Sequence, residues 1–364
     1  MADRADAPSF IDLHVHPCLP WVGAAWRRAA QDFRLATLDN APGRGETSVV
    51  RPDAREAMRL YGAVFYQTYL FRPAVARRNL FASLEAFGSR LASLGGRRLL
   101  LSASDLQTLP VHLSGALPPI PIPEAFLMAV ESMRYLNDPG DVRRLWNLGV
   151  RSLQPIHFLD TPWGGSSREG LLPESRKGLT GLGKEMLSEM ASLGMILDIA
   201  HMSARNAEES LAAYRGPVMC SHTGLHSLKP SARNVNVDLA REIFRRRGVV
   251  GVTCWRHLLG PDPLRASGSD RRLAALSGPR SAWTRAYCAT VDAIASLSPD
   301  SRVAVGSDRG APIRAPGWFY STSHLAEIET CLEEAGWNAD RIRGFLSRNA
   351  WDFLSRSLPG GNGS

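Results

Sequence analysis

The chain has 364 residues, 44% hydrophobic and 21% charged: enough apolar content for a large core and an ordinary charge level for a globular protein. Lys and Arg outnumber Asp and Glu by 43 to 35, a net charge of +8, but the basic residues sit in scattered pairs such as Arg27-Arg28 and Arg143-Arg144, which argues for a solvated surface rather than a nucleic-acid site. With no apolar run of the ~18 residues a bilayer requires, no signal-peptide core in MADRADAPSF and no hydrophobic C-terminal tail, the expectation is a cytosolic protein without nucleic-acid or membrane partners.

Short apolar runs, most ending in a polar residue, recur along the chain and read as buried strands. They are Phe10–Val15, Arg98–Ser102, Ala125–Glu131, Val150–His157, Met195–His201, Pro217–His222, Val249–Trp255 and Val303–Asp308. Between the first two lie helical patterns at Arg55–Leu70 and Ala74–Leu94, so residues 19–97 are expected to form a helical insertion or lid. Pro-rich Leu117–Pro123 and Gly/Ser-rich Trp163–Lys177 read as loops. Later helices are expected at Gly183–Leu193, at Ser203–Tyr214 with Ser203 as N-cap, at Val237–Arg247 ending before Gly248, and at Thr284–Leu297, Thr322–Ala335 and Ala339–Leu346. Arg245-Arg246-Arg247 then faces the negative end of a helix dipole. Strand and helix alternating to a count of eight predict an α/β fold, a (β/α)8 TIM barrel. It is expected as one domain over 1–358 with the insertion at 19–97 and a flexible tail at 359–364.

In such a barrel, groups at the C-terminal strand ends meet at one mouth. The first strand ends in Asp12-Leu13-His14-Val15-His16, and the others in Glu131, His157, His201, His222, Thr253-Cys254-Trp255 and Asp308. His14 and His16 are two apart and point the same way on an extended strand. A lone histidine is more often structural than a ligand. Several histidines and two carboxylates at equivalent strand ends are costly to desolvate unless a cation holds them. A His/carboxylate set without thiolate suits zinc, and also manganese, cobalt or iron. The five cysteines are far apart with no CxxC pair; Cys220, two before His222, is expected on that histidine's face as a small buried residue. HExxH, GxSxG and P-loop motifs are missing, and Gly178-Leu-Thr-Gly181-Leu-Gly183 lacks the strand and spacing of a dinucleotide turn.

These motifs together resemble the membrane dipeptidase (renal dipeptidase) family of amidohydrolase-like metallohydrolases, most closely over residues 125–354. The carriers are Gly149-Val-Arg-Ser-Leu-Gln-Pro-Ile-His157-Phe with Gly164-Gly165 and Gly178-Leu179-Thr180, Gly194-Met-Ile-Leu-Asp-Ile-Ala-His201-Met-Ser, Pro217-Val-Met-Cys-Ser-His222, Arg233-Asn234-Val235 with Asp238 and Gly248-Val-Val-Gly-Val, and Val303-Ala-Val-Gly-Ser-Asp308. The resemblance implies a zinc-dependent dipeptidase with two metal ions. Glu131 would bridge them, His14 and His16 would serve the first, and His201 and His222 the second. Asp308 would lie near the first ion as proton shuttle, His157 would stabilise the oxyanion, and Arg233 would clamp a substrate carboxylate, with Trp255 a further substrate contact. The implied substrate is a dipeptide or similar small amide, and a homodimer is usual in the family.

Three departures stand out. His16 occupies a position where the family has aspartate, which leaves the site one unit more positive. Ser132 follows Glu131 where glycine is usual. Arg309-Gly310 follow Asp308 without the usual aromatic and second acid. A specialised biosynthetic amide, a lactone or a phosphoester remains a rival substrate, and a non-catalytic chain with an impaired first metal site a rival role.

Overall fold

The computed structural model describes residues 10–16, 59–66, 72–92, 97–109, 124–170, 172–260, 282–300, 302–308 and 322–360. All of 19–58, all of Leu117–Pro123, Arg309-Gly310 and the last four residues lie outside these. Nine strands fall within them: β1 Phe10–Val15, β2 Arg59–Tyr66, β3 Arg97–Leu99, β4 Glu124–Glu131, β5 Val150–Gln154, β6 Ile196–Asp198, β7 Val218–Thr223, β8 Val249–Val252 and β9 Val303–Val305. They pair in parallel in the order β2-β1-β9-β8-β7-β6-β5-β4-β3, and β2 also pairs with β4 from Arg59↔Glu124 to Tyr66↔Glu131. Eight strands therefore return on themselves as a ring, with helices between them, as a (β/α)8 barrel requires. β3 stands outside the ring, on the edge of β4 that β5 takes over from Met128 onward.

Two expectations fail at the start of the barrel. The helix read over Arg55–Leu70 is strand β2, and the second barrel strand is β2 rather than 98–102. The insertion over 19–97 is thus not purely helical: its described part holds a barrel strand, the helix Pro73–Ala92 and the start of β3. The run Leu60–Tyr66 is apolar throughout and carries no period, so pattern alone suits either element. Gly62 marks the strand. A Cβ there would lie 2.0 Å from the Leu13 carbonyl oxygen, so β1 and β2 approach more closely than a side chain allows. The run at 98–102 stops short because Ser102 precedes the helix Ala103–Gln107, whose Asp105 carboxylate accepts the Leu101 and Ser102 N–H groups.

The barrel interior has an apolar lower layer. Ile11, Leu13, Ala125, Leu127, Ile196, Met219, Val249 and Ala304 pack together with Ala350, Phe353 and Leu354 of the helix Asn349–Ser357, which closes the N-terminal end. Outward-facing residues such as Val218, Cys220 and Val250 pack toward the surrounding helices. Alternation would then turn His14 and His222 outward. Both strands avoid this with one extra residue: Asp12↔Tyr61 is followed by Val15↔Ala63 in β1, and Cys220↔Val250 by Thr223↔Val252 in β7. Each such β-bulge reverses the parity beyond it. Leu13 and Met219 can fill the lower layer while His14, His16 and His222 point into the mouth. Cys220 consequently does not share the face of His222, contrary to the expectation from their spacing; it packs against the layer of Ala207 and Leu239.

Candidate metal centre

β1 delivers His14 and His16, β4 Glu131 and β7 His222, while His157, His201 and Asp308 follow β5, β6 and β9. All but His157 are less than a tenth exposed. His14 Nε2 lies 3.4 Å from His16 Nε2, which in turn lies 3.2 Å from Asp308 Oδ1 and 3.7 Å from Glu131 Oε2. On the other side, His201 Nε2 is 3.3 Å from Glu131 Oε1 and 2.9 Å from His222 Nε2. His157 Nε2 is 3.9 Å from Glu131 Oε1. One carboxylate thus turns one oxygen to His16 and the other to His201 and His157. Ligand atoms fall within 4.8 Å of one another in three sets: His14, His16 and Glu131; His14, His222 and Asp308; Glu131, His157 and His201.

The donor chemistry fits divalent cations. His201 Nδ1 is hydrogen-bonded to the Glu169 carboxylate. An ionised carboxylate only accepts, so Nδ1 carries a proton and Nε2 is the nitrogen turned toward Glu131 and His222. Among the described residues no cysteine joins these sets of ligand atoms: Cys220, Cys254, Cys288 and Cys331 are buried elsewhere, Cys220 toward the helices.

Burial dominates the protonation states. It holds the imidazoles of His14 and His222 well below the usual histidine range and brings His157 down to about 4. Burial also opposes charge on Glu131, but the surrounding His157, His201 and His14 outweigh it and keep that carboxyl well below its ordinary value. At His16 burial is outweighed by the hydrogen bond to Asp308 and by the charges of Glu131 and Asp308, so its imidazole is raised; burial raises Asp308 in turn. His201 is raised as well: burial and the Arg233 charge oppose its proton, and the Glu169 and Glu131 carboxylates outweigh them.

Arg233 is buried beside the cluster. Its NH2 group lies 2.9 Å from His201 Nε2 and donates to the His222 carbonyl, its Nε is 3.5 Å from Glu169, and its NH1 carries no hydrogen bond among the described residues. Trp255 is not brought to the metal-facing histidines: it is half-buried after β8, its ring against His257 and its backbone bonded to Thr253 and Leu258.

Sequence reading missed the residues that hold the ligands. Gln154, on β5, donates to Glu131 Oε1 at 2.6 Å. Glu169 pairs with His201 and Arg233 from inside the loop after β5 and follows Arg168, both with left-handed backbone (φ 56° and 53°). No periodic signal marks it, because Asp160, accepting from Ser166 N, Ser175 Oγ and Arg168, shapes that loop. Asp12 accepts from His14 N and from the Ser307 N–H and hydroxyl, tying β1 to β9. Asp198 accepts from Ala200 N and Ser221 N, tying β6 to β7.

A sequence model described as membrane dipeptidase (peptidase family M19) matches residues 124–355, well over half of the chain. The chain belongs to this family. An uncharacterised dipeptidase of Schizosaccharomyces pombe is 33% identical over 150 residues, 40% of this chain and 34% of the relative. The dipeptidase tcpJ of Claviceps purpurea is 26% identical over 218 residues, 57% and 49% of the two chains. The chain thus spans between a third and a half of the length of these curated relatives. A metallopeptidase of Rhodobacter sphaeroides, solved with a phosphinate mimic of the dipeptide L-Ala-D-Ala, is 18% identical and superposes with a TM-score of 0.70 over 97% of this chain and all of its own. At that identity the likeness speaks for the fold.

Proposed function

We propose that this member of the membrane dipeptidase family is a metal-dependent dipeptidase, hydrolysing the amide bond of a dipeptide or dipeptide-like small molecule. The observation that carries the reading is the convergence of His14, His16, Glu131, His201, His222 and Asp308, from the ends of five strands, in one buried cluster of ligand atoms. Glu131 would bridge two zinc ions, with manganese, cobalt or iron as alternatives; His14 and His16 would hold the first, His201 and His222 the second. Bound divalent cations polarise a carbonyl and make water a nucleophile near neutral pH.

The remaining steps belong to the side chains. Asp308, on a carboxyl raised by burial and next to His16, is suited to accept a proton and return it to the departing amine. His157, neutral at working pH, offers one N–H where negative charge develops on the carbonyl oxygen. Arg233, with no hydrogen bond at NH1 among the described residues and Glu169 at its Nε, can meet a terminal carboxylate. The phosphinate dipeptide held by the Rhodobacter sphaeroides metallopeptidase supports this substrate class.

The test is a screen of the metal-loaded full chain against dipeptides, lactones and phosphotriesters. Turnover is expected on dipeptides, and Glu131→Gln should lower kcat by at least about 100-fold, the scale of losing one preorganised charged group, with fewer cations retained by elemental analysis. Undiminished turnover by Glu131→Gln would sink the assignment. A chain that holds one cation and turns over nothing would favour the non-catalytic reading that His16 raises.

A further inference from the structure

Glu169 reaches the centre from the loop after β5, and that loop is fastened to the strand end it serves. Ser167 N–H donates to the His201 carbonyl at 2.9 Å, Ser166 pairs with Met202, and the Ser166 hydroxyl donates to the His157 carbonyl at 2.7 Å. Arg168 and Glu169 both take left-handed backbone, a conformation that persists in non-glycine residues only where the surroundings impose it. The Glu169 side chain is fully buried and turns one oxygen to two partners. Oε1 accepts from His201 Nδ1 and lies 3.5 Å from Arg233 Nε. Both partners are buried as well.

Arg233 sets an electrostatic problem at this point. Its NH2 group lies 2.9 Å from His201 Nε2, the nitrogen that turns toward Glu131 and His222. A guanidinium stays charged at any working pH. A cation held by His201 would therefore stand beside a buried positive charge, and like charges repel strongly where water does not screen them. Among the described residues Glu169 is the one carboxylate within ion-pair distance of Arg233. Burial opposes the charge on Glu169, but His201, Arg233 and His157 outweigh it and bring its carboxyl down to about 2, so it is ionised at neutral pH.

We propose that Glu169 is a positioning residue that acts by its charge: it neutralises the Arg233 guanidinium and so lets that group stand beside a divalent cation at His201. The cation here rests on the proposed metal reading; the pairing of Glu169 with Arg233 and His201 rests on the distances alone. Two roles of one side chain can be told apart. Glutamine at this position keeps a carbonyl oxygen for His201 Nδ1 and loses the negative charge, so it tests the charge without removing the acceptor.

The experiment is a double-variant cycle on the full chain with Glu169→Gln, Arg233→Met and both together. It is read by cobalt(II) titration in the visible spectrum and by urea unfolding of the metal-free chain. Glu169→Gln should weaken cobalt binding by about 10- to 100-fold. Arg233→Met should bind cobalt at least as tightly as the unaltered chain. The double variant, whose net charge matches the unaltered chain, should return close to it. In urea, Glu169→Gln should lose stability because it leaves a buried guanidinium unpaired, and adding Arg233→Met should restore much of it. Unchanged cobalt affinity in Glu169→Gln overturns the proposal. So does a double variant as weak as Glu169→Gln, since the loss would then belong to His201 rather than to Arg233. Should Glu169→Gln fail to fold, the double variant decides by itself: a loss of about 10-fold or more against the unaltered chain overturns the proposal. An unaltered chain that takes up no cobalt overturns the metal reading and the cation's part in this one. The urea cycle needs no metal and tells that failure apart: additive losses there overturn the pairing of Glu169 with Arg233.

Discussion

Two groups of strand ends aim side chains into the mouth of this barrel by different means. β1 and β7 do it inside the ladder, through an extra residue that reverses parity and turns His14 and His222 inward. β4, β6 and β9 keep their registers at that end and turn just beyond the strand, with left-handed backbone at Ser132, His201 and Asp308 (φ 65°, 65° and 60°). The first device stores its cost in the neighbours: the carbonyls pushed aside press on Gly62 and on the Gly251–Gly306 pair. The second stores it in the turning residue itself, since a non-glycine residue in this region carries strain of the order of 1 kcal/mol. Bulge sites should therefore be sensitive at glycines that never touch a ligand, and turn sites at the strained residue alone.

The sharpest way to break that contrast is Gly306→Ala. The new Cβ would meet the Ser221 carbonyl and stand 3.2 Å from Gly251 Cα, all backbone with no flexible tip to yield. Overpacking of this kind costs about 1–3 kcal/mol and occasionally more, and here we expect the upper end, about 3 kcal/mol in urea unfolding. Because the strain falls on the residue between Cys220 and His222, cation binding should weaken as well. A Gly306→Ala chain that unfolds and binds metal like the original would mean that the bulge in β7 is not held by its neighbours.

A second, smaller effect separates the two aspartates that clamp these strands. Burial raises Asp198 to about 6, while the Ser221 and Ala200 groups that donate to it pull the other way. A carboxyl whose folded pKa lies above its unfolded value binds more protons when folded. Its contribution is fully present below about pH 4 and is lost as pH rises through about 6. In the metal-free chain, stability should fall over that window by on the order of 2 kcal/mol, and Asp198→Asn should flatten the fall. The measurement is denaturant unfolding at pH steps from 4 to 8. An unchanged slope in Asp198→Asn would remove Asp198 as its source.

The contrast also explains what could be read in the sequence. Polar residues ending apolar runs were legible at Glu131, His157, His201, His222 and Asp308, because strand ends in a barrel share one mouth. β2 was not, since Leu60–Tyr66 has no period and its one informative residue, Gly62, speaks only once its neighbour is known. Parity misled at Cys220, because a bulge is invisible to a count of two. Glu169 and Ser221 escaped for a different reason: each touches a ligand candidate, and nothing in local pattern marks a hydrogen bond between residues 32 or 207 positions apart.

Ser132 offers the gentlest test, and it addresses the turn sites directly. The family resemblance puts glycine where this chain has serine, and the backbone there is left-handed (φ 65°). Ser132 is fully buried, and its N–H donates to the Gln154 carbonyl at 2.9 Å, next to the amide that holds Glu131. Ser132→Gly should relieve the left-handed cost while adding freedom to the unfolded chain, two effects that nearly offset. The net is expected as a gain of a few tenths to about 1 kcal/mol in urea unfolding, with cation binding unchanged because Glu131 keeps its strand position. His201 and Asp308 admit no such relief, since each strained residue there is itself a ligand candidate. A loss of stability in Ser132→Gly would show that the serine side chain outweighs the strain. The turn after β4 would then be held by what its residue touches, as the bulges are, and the distinction between the two groups of strand ends would fall.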